Sequence, residues 1–127
     1  MKLLIVDESS AVSARLLAML SGVAHLTALT IARSLQEADE KSRDFHPDVV
    51  VLDTHLPDGS GLDALFVIQA NCPHAYLLIF SNQIELRDKA REAGADAFFD
   101  KSLEFEDLVV RLVNLNAMLI FQRGDAA

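Results

Sequence analysis

The sequence predicts an α/β fold in which a five-stranded parallel sheet is covered by five helices, and three observations predict it. Short apolar runs alternate five times with stretches of helical period along the 127 residues. The runs are apolar throughout, as strands buried on both faces require. Each run also stops abruptly at polar or charged residues, which gathers the reactive side chains on one edge of the sheet.

The first strand is "KLLIV", and residues 10 to 21 form the first helix. There Val12, Leu16, Met19 and Leu20 share the spacing of a sheet-packing face, with Ser13 and Arg15 turned away and Gly22 just beyond. The second strand lies in "HLTALTI" and leads to a helix over 34 to 44, where Ser34 and Glu37 have the spacing of a capping box. "DVVVL" is the third strand, with a helix over 61 to 71, and "AYLLIF" is the fourth. The helix over 84 to 93 is the weakest: only Ile84, Leu86, Ala90 and Ala93 can pack among its charges, so low burial and easy movement are expected before Gly94 closes it. "DAFF" is the fifth strand and 103 to 121 the last helix. Leu108, Leu112, Leu115 and Leu119 make its apolar stripe, which Val109, Val113, Met118, Ile120 and Phe121 widen beyond what one sheet face needs. That excess suggests a homodimer through this helix. Residues 1 to 121 read as one domain, and 122 to 127 as a short polar tail.

Eleven basic against nineteen acidic side chains give a net charge of -8, which opposes nucleic-acid backbones and anionic membranes. No apolar run is long enough for a bilayer and no signal peptide opens the chain, so a cytoplasmic location is expected. The single cysteine, Cys72, reads as a free thiol, and His25, His46 and His74 receive no role.

The strand ends carry the chemistry. The first ends in Asp7 and Glu8, the third in Asp53, the fourth in Ser81 and Asn82, the fifth in Asp100 and Lys101. Any one of these alone is more often a cap or turn residue: "VDES" can cap a helix, and "LPDGSG" is a good turn. Together at one edge they form a carboxylate cluster that needs a cation. A hard divalent ion such as Mg²⁺ suits oxygen ligands, and nothing here has zinc-ligand spacing. Lys101 adds an ammonium and Ser81 a hydroxyl, the parts of a phosphoryl-transfer site with a carboxylate as covalent acceptor.

These motifs, "LLIVDES", "VVVLDTHLPDGSGL", "LLIFSN" and "AGADAFFDKS", resemble the receiver domain of bacterial two-component response regulators over essentially the whole chain. The most specific part is D-x-x-L-P-x-x-x-G around Asp53, combined with the acidic pair and the lysine. The resemblance implies a flavodoxin-like sheet of order 2-1-3-4-5. It implies that Asp53 accepts a phosphoryl group from a sensor histidine kinase or phosphotransfer protein, and that a downstream protein target reads the result. Asp7, Glu8, Asp53 and the backbone carbonyl of His55 would hold Mg²⁺. Lys101 would pair with phosphoryl oxygens, Ser81 would turn toward them, and Phe98 would be the switch aromatic. Such a protein catalyses only its own phosphotransfer and dephosphorylation.

Several residues depart from that pattern. Glu8 is one methylene longer than the usual aspartate, and Asn82 is larger than the usual small residue beside the acceptor. Ser102 replaces a proline, so a trans bond is expected before it. Phe98 lacks a tyrosine hydroxyl, leaving its rotamer to packing. His55, beside the acceptor, reads first as a solvated side chain and second as a modulator of the acyl-phosphate lifetime. The alternative to a phosphorylated switch is a pseudo-receiver, a constitutive interaction module whose site is decaying. The chain is read either as a stand-alone receiver or as a piece of a longer regulator.

Overall fold

The computed structural model describes residues 1 to 24, 26 and 28 to 123; His25, Thr27 and residues 124 to 127 of the polar tail lie outside the described residues. Strands β1 (Lys2–Val6), β2 (Ala28–Ala32), β3 (Val49–Leu52), β4 (Tyr76–Ser81) and β5 (Ala97–Asp100) form one parallel sheet. Their order is β2-β1-β3-β4-β5, as the sequence predicts. The helices are α1 (Ser10–Leu20), α2 (Leu35–Phe45), α3 (Gly61–Asn71), α4 (Arg87–Glu92) and α5 (Phe105–Arg123), with a 3-10 turn at Ile84–Leu86 leading into α4.

All four residues of β3 are buried because the sheet is covered on both faces. Val49 and Val51 join Leu3, Ile5, Leu78 and Phe80 under α1 and α5. Val50 and Leu52 join Leu4, Val6, Leu77 and Ile79 under α2, α3 and α4. Successive side chains on a strand point to opposite faces, so the unbroken apolar run feeds two cores at once. Each buried aliphatic side chain contributes about 1.5–3 kcal/mol, which makes this short central strand a rigid mount for Asp53 at its end.

Several local expectations change. On α1, Ser13 is buried and Met19 is among the exposed large side chains, so the inward face is Val12, Ser13, Leu16 and Leu20. Ser13 turns in because the Arg33 guanidinium donates to its hydroxyl at 2.9 Å. The Ser34 hydroxyl caps α2 by accepting from the Glu37 amide, yet the Glu37 carboxylate accepts from the Arg33 amide one residue further back than a capping box has it. Gly22 does not adopt a left-handed conformation, whereas Gly94 does, with φ of 108°, and so closes α4. His46 takes the same role for α2 at φ of 51°, a position the sequence does not flag. The described part of β2 is Ala28–Ala32, with His25 and Thr27 of the expected "HLTALTI" run outside the described residues, and α5 extends through Gln122 and Arg123, past the boundary expected for the tail. In the 84 to 93 segment only Ala90 is fully buried and Ile84 is exposed, in keeping with its sparse packing.

A two-stranded hairpin, His55–Leu56 against Gly59–Ser60, sits inside the loop after β3. At its tip the Asp58 carboxylate accepts from the Leu35 and Gln36 amides at 2.7 and 3.0 Å, which ties this loop to the N-terminus of α2. Those two amides hold the Asp58 carboxyl below its usual range. A lowered pKa stabilises the fold above the ordinary carboxylate value, and the gain disappears as pH falls through the lowered one. Thermal melts should therefore show the wild type losing its advantage over Asp58→Asn on acidification below about pH 4. A gap unchanged with pH would mean that the carboxylate charge does not hold the loop.

Candidate functional site

Three of the reactive residues stand one position past a strand or at its last residue and are still tied into the ladder. The Asp7 amide donates to the Ala32 carbonyl at 3.0 Å, the Asp53 amide to Val6 at 2.9 Å, and the Lys101 amide to Ser81 at 3.0 Å. The sheet thereby fixes all three backbones at one edge. Asp53 and Lys101 belong to positions two strands apart, about 9–10 Å, which a lysine stem reaches across.

Lys101 closes the site. Its ammonium lies 2.7 Å from Asp7 Oδ2 and 2.9 Å from Asp53 Oδ2. The three side chains are 11%, 4% and 14% exposed, so the pairing sits largely out of bulk water. The other carboxylate oxygens take backbone amides: Asp7 Oδ1 accepts from Ser9 at 2.8 Å, and Asp53 Oδ1 from Thr54 at 2.7 Å and His55 at 3.4 Å. Every oxygen of the two aspartates is thus oriented, and one ammonium is shared between two carboxylates, which leaves an excess of negative charge at the site. A cleft of about 350 Å³ lined by Ala11, Arg15, Asn82, Lys101, Ser102 and Phe105 opens beside the ammonium.

Glu8 is placed differently from Asp7. It is exposed at the start of the loop, and among the described residues no three acidic, histidine or cysteine side chains stand close enough to hold a metal. Asp7 and Asp53 alone still offer the hard oxygen donors that Mg²⁺ takes from one or two carboxylates and water. The residues present fit a divalent cation through those two.

Gly61 explains the glycine of the motif. A Cβ there would stand 1.8 Å from the Asp53 carbonyl oxygen and 2.6 Å from Thr54 Cα, so the start of α3 presses directly on the Asp53 backbone. The Gly61 amide donates to the Thr54 carbonyl at 2.8 Å and completes that contact.

The response regulator receiver domain model matches residues 3 to 113, which span every one of these strand ends. The chain belongs to that family. The receiver is 31% identical over 121 residues to the two-component response regulator PhoP of Pseudomonas aeruginosa, covering 94% of this chain and 52% of that one. Among solved structures, it overlays the signal receiver domain of a LuxO-type repressor protein from Vibrio parahaemolyticus with a TM-score of 0.81 at 18% identity, covering 99% and 97% of the two chains. It also overlays the BeF3-activated DrrB receiver domain with a TM-score of 0.73 at 26% identity, covering 87% and 92%. The receiver spans about half, or less, of the length of the first curated relatives it matches.

Within this receiver the structure adds residues that the sequence does not single out. Arg33, one past β2, donates from Nη1 to the carbonyls of Asp7 and Ser9, both at 3.0 Å, and so clamps the loop that carries the acidic pair. A lone arginine at the same edge as the acidic residues is the signal that could have found it. Asn82 and Ser102, two of the departures, bond each other: the Ser102 hydroxyl donates to Asn82 Oδ1 at 2.8 Å and joins the loops after β4 and β5. Every described peptide bond is trans, including the one before Ser102. Phe98 is not left to packing alone, since the Arg87 guanidinium lies 5.2 Å from its ring centroid and also pairs with Glu104 at 3.3 Å. The His55 side chain is exposed.

Ser81 is fully buried, and its hydroxyl bonds Thr54 Oγ1 at 2.5 Å rather than either aspartate. Thr54 and Gln83, its partners there, carry no sequence signal that marks them as site residues.

Proposed function

We propose that this receiver is a phosphorylation switch in which Asp53 accepts a phosphoryl group from a sensor histidine kinase or phosphotransfer protein. The observation that carries the reading is the pairing of the Lys101 ammonium with Asp53 Oδ2 and Asp7 Oδ2 at the end of the buried β3 strand. One Asp53 carboxylate oxygen bonds phosphorus as the phosphorus–nitrogen bond of the donor breaks and its electron pair leaves on the imidazole, while the other oxygen stays available to the cation; in the resting site the Thr54 and His55 amides orient Oδ1 and Lys101 orients Oδ2. Lys101 then pairs with the phosphoryl oxygens, and the added charge of about -1.5 to -2 draws on donors around the site. Asp7, Asp53 and the His55 carbonyl would hold Mg²⁺, with the exposed Glu8 acting on it through water, and that ion would neutralise charge on the transferred group. Ser81 is the hydroxyl that turns to the phosphoryl group, and Phe98 under Arg87 the aromatic whose packing reports it. His55 and Asn82 flank the approach to the acceptor and set the lifetime of the acyl phosphate.

The output is a changed protein-binding surface for a downstream target, not a separate reaction, and the setting is the cytoplasm; no helix among the described residues is long and apolar enough to cross a membrane. Exposed Val110, Val113 and Phe121 on α5 support a second copy as one partner. Beryllofluoride with Mg²⁺ tests both points in one sample. The wild type should form an Mg²⁺-dependent adduct seen by fluorine NMR and gain mass in light scattering, while Asp53→Asn does neither. The absence of any adduct in the wild type would leave a constitutive pseudo-receiver. An adduct without a mass change would remove the homodimer.

A further inference from the structure

Three side chains and one main-chain amide form a closed ring of hydrogen bonds behind the acceptor. The Gln83 main-chain amide donates to Ser81 Oγ at 2.9 Å. The Thr54 hydroxyl donates to Gln83 Oε1 at 2.6 Å, an amide oxygen that can only accept. Thr54 has a single proton and spends it there, so the 2.5 Å contact between Thr54 and Ser81 has Ser81 as donor. The ring therefore begins and ends on Gln83, passing through both hydroxyls. Ser81 and Thr54 are 0% and 4% exposed, so water does not compete for the bond between them, while Gln83 closes the ring from the exposed side.

The consequence is that the one proton Ser81 can donate is already committed. We propose that Gln83 and Thr54 are positioning residues that latch the Ser81 hydroxyl away from Asp53, and that the ring must open before Ser81 can donate to a phosphoryl oxygen. This rests on Asp53 being the acceptor. The backbone link from the Thr54 amide to Asp53 Oδ1 makes the latch local to the site: the same residue holds the acceptor by its main chain and the switch hydroxyl by its side chain. Gln83 stands just ahead of the 3-10 turn at Ile84–Leu86, so opening the ring releases the entry to the sparsely packed α4 segment. A residue that charges the switch a fixed cost lowers the apparent affinity for any activating group by the same factor.

Thr54→Val keeps the side-chain shape and the main-chain amide but removes the centre of the ring, and Gln83→Ala removes its end. Both should bind beryllofluoride in Mg²⁺ roughly threefold to tenfold more tightly than the wild type, the worth of one or two net hydrogen bonds. Neither should gain anything in a Ser81→Ala background, where there is no hydroxyl to latch; a general loosening of the fold would act there too. A second measurement needs no phosphoryl mimic. In the untreated wild type the Gln83 side-chain amide should be rigid by ¹⁵N relaxation, and in Thr54→Val it should become mobile. A mobile Gln83 side-chain amide in the wild type overturns the ring itself. Equal affinities with a normal wild-type adduct overturn the latch and leave the acceptor assignment standing. No adduct in any chain overturns the acceptor, and the latch's role in switching falls with it.

Discussion

Gly61→Ala should lower the midpoint of thermal unfolding by roughly 10–20 °C, the largest effect expected of any single methyl group in this chain. The added carbon would meet the Asp53 carbonyl oxygen at 1.8 Å and Thr54 Cα at 2.6 Å, and both are main-chain atoms. A flexible side chain could swing aside, but this contact can be relieved only by moving the end of β3 or the first turn of α3. Asp53 is tied to Val6 through its amide, and α3 is held by buried Ala64, Leu65 and Ile68, so neither moves freely. The cost is about 4 kcal/mol or more, in the range of severe packing errors. Gly22→Ala is the control, because a Cβ there meets nothing within 4 Å and the backbone is not left-handed. It should be neutral or slightly stabilising, since alanine restricts the unfolded chain. Circular dichroism melts of the two variants decide the matter. A Gly61→Ala midpoint within a few degrees of the wild type would mean that α3 yields, and that its N-terminus does not fix Asp53.

The difference between these glycines shows where sequence reasoning reaches and where it stops. Unbroken apolar runs such as "VVVL" determine that a strand is buried on both sides, and the alternation with helices determines the parallel order; both were legible. The strand-end residues Asp7, Asp53, Ser81 and Lys101 were legible as a group for the same reason, since topology alone brings them to one edge. What single residues do once there depends on side-chain direction, which spacing does not supply. Ser13 looks like a solvent-facing serine until Arg33 is known to reach it from the end of β2. Met19 looks like core until that inward face is filled by Ser13 instead. Glu8 shares its neighbourhood with Asp7 in sequence, yet successive residues leaving a strand point apart, and only Asp7 is turned to Lys101. Thr54 and Gln83 were illegible because a hydroxyl and an amide at such positions are ordinary, and only their mutual distances give them a role.

Lys101→Met should destabilise the receiver by about 2–4 kcal/mol in the absence of divalent cations, and Mg²⁺ should recover part of that loss. Methionine keeps an apolar stem of similar reach, so packing near the Phe80 ring, 5.7 Å from the ammonium, is largely preserved and the charge is what changes. Without the ammonium, Asp7 Oδ2 and Asp53 Oδ2 lose the donor they share at 2.7 and 2.9 Å and face each other as like charges at 4% and 14% exposure. The residual exposure of Asp53 and Lys101 admits some solvent screening, which places the cost at the lower part of the range for breaking a buried pair. A hard cation drawn to the same two oxygens would compete with Lys101 in the wild type but would meet an open pair of carboxylates in the variant. Denaturant melts with and without about 10 mM Mg²⁺ should therefore show at least ~1 kcal/mol more stabilisation of Lys101→Met than of the wild type. Asp7→Asn in the same background should abolish that excess, because one of the two anionic ligands is gone. If Mg²⁺ stabilises Lys101→Met no more than the wild type, the ammonium and the cation do not share ligands, and Asp7 with Asp53 cannot be where the metal sits.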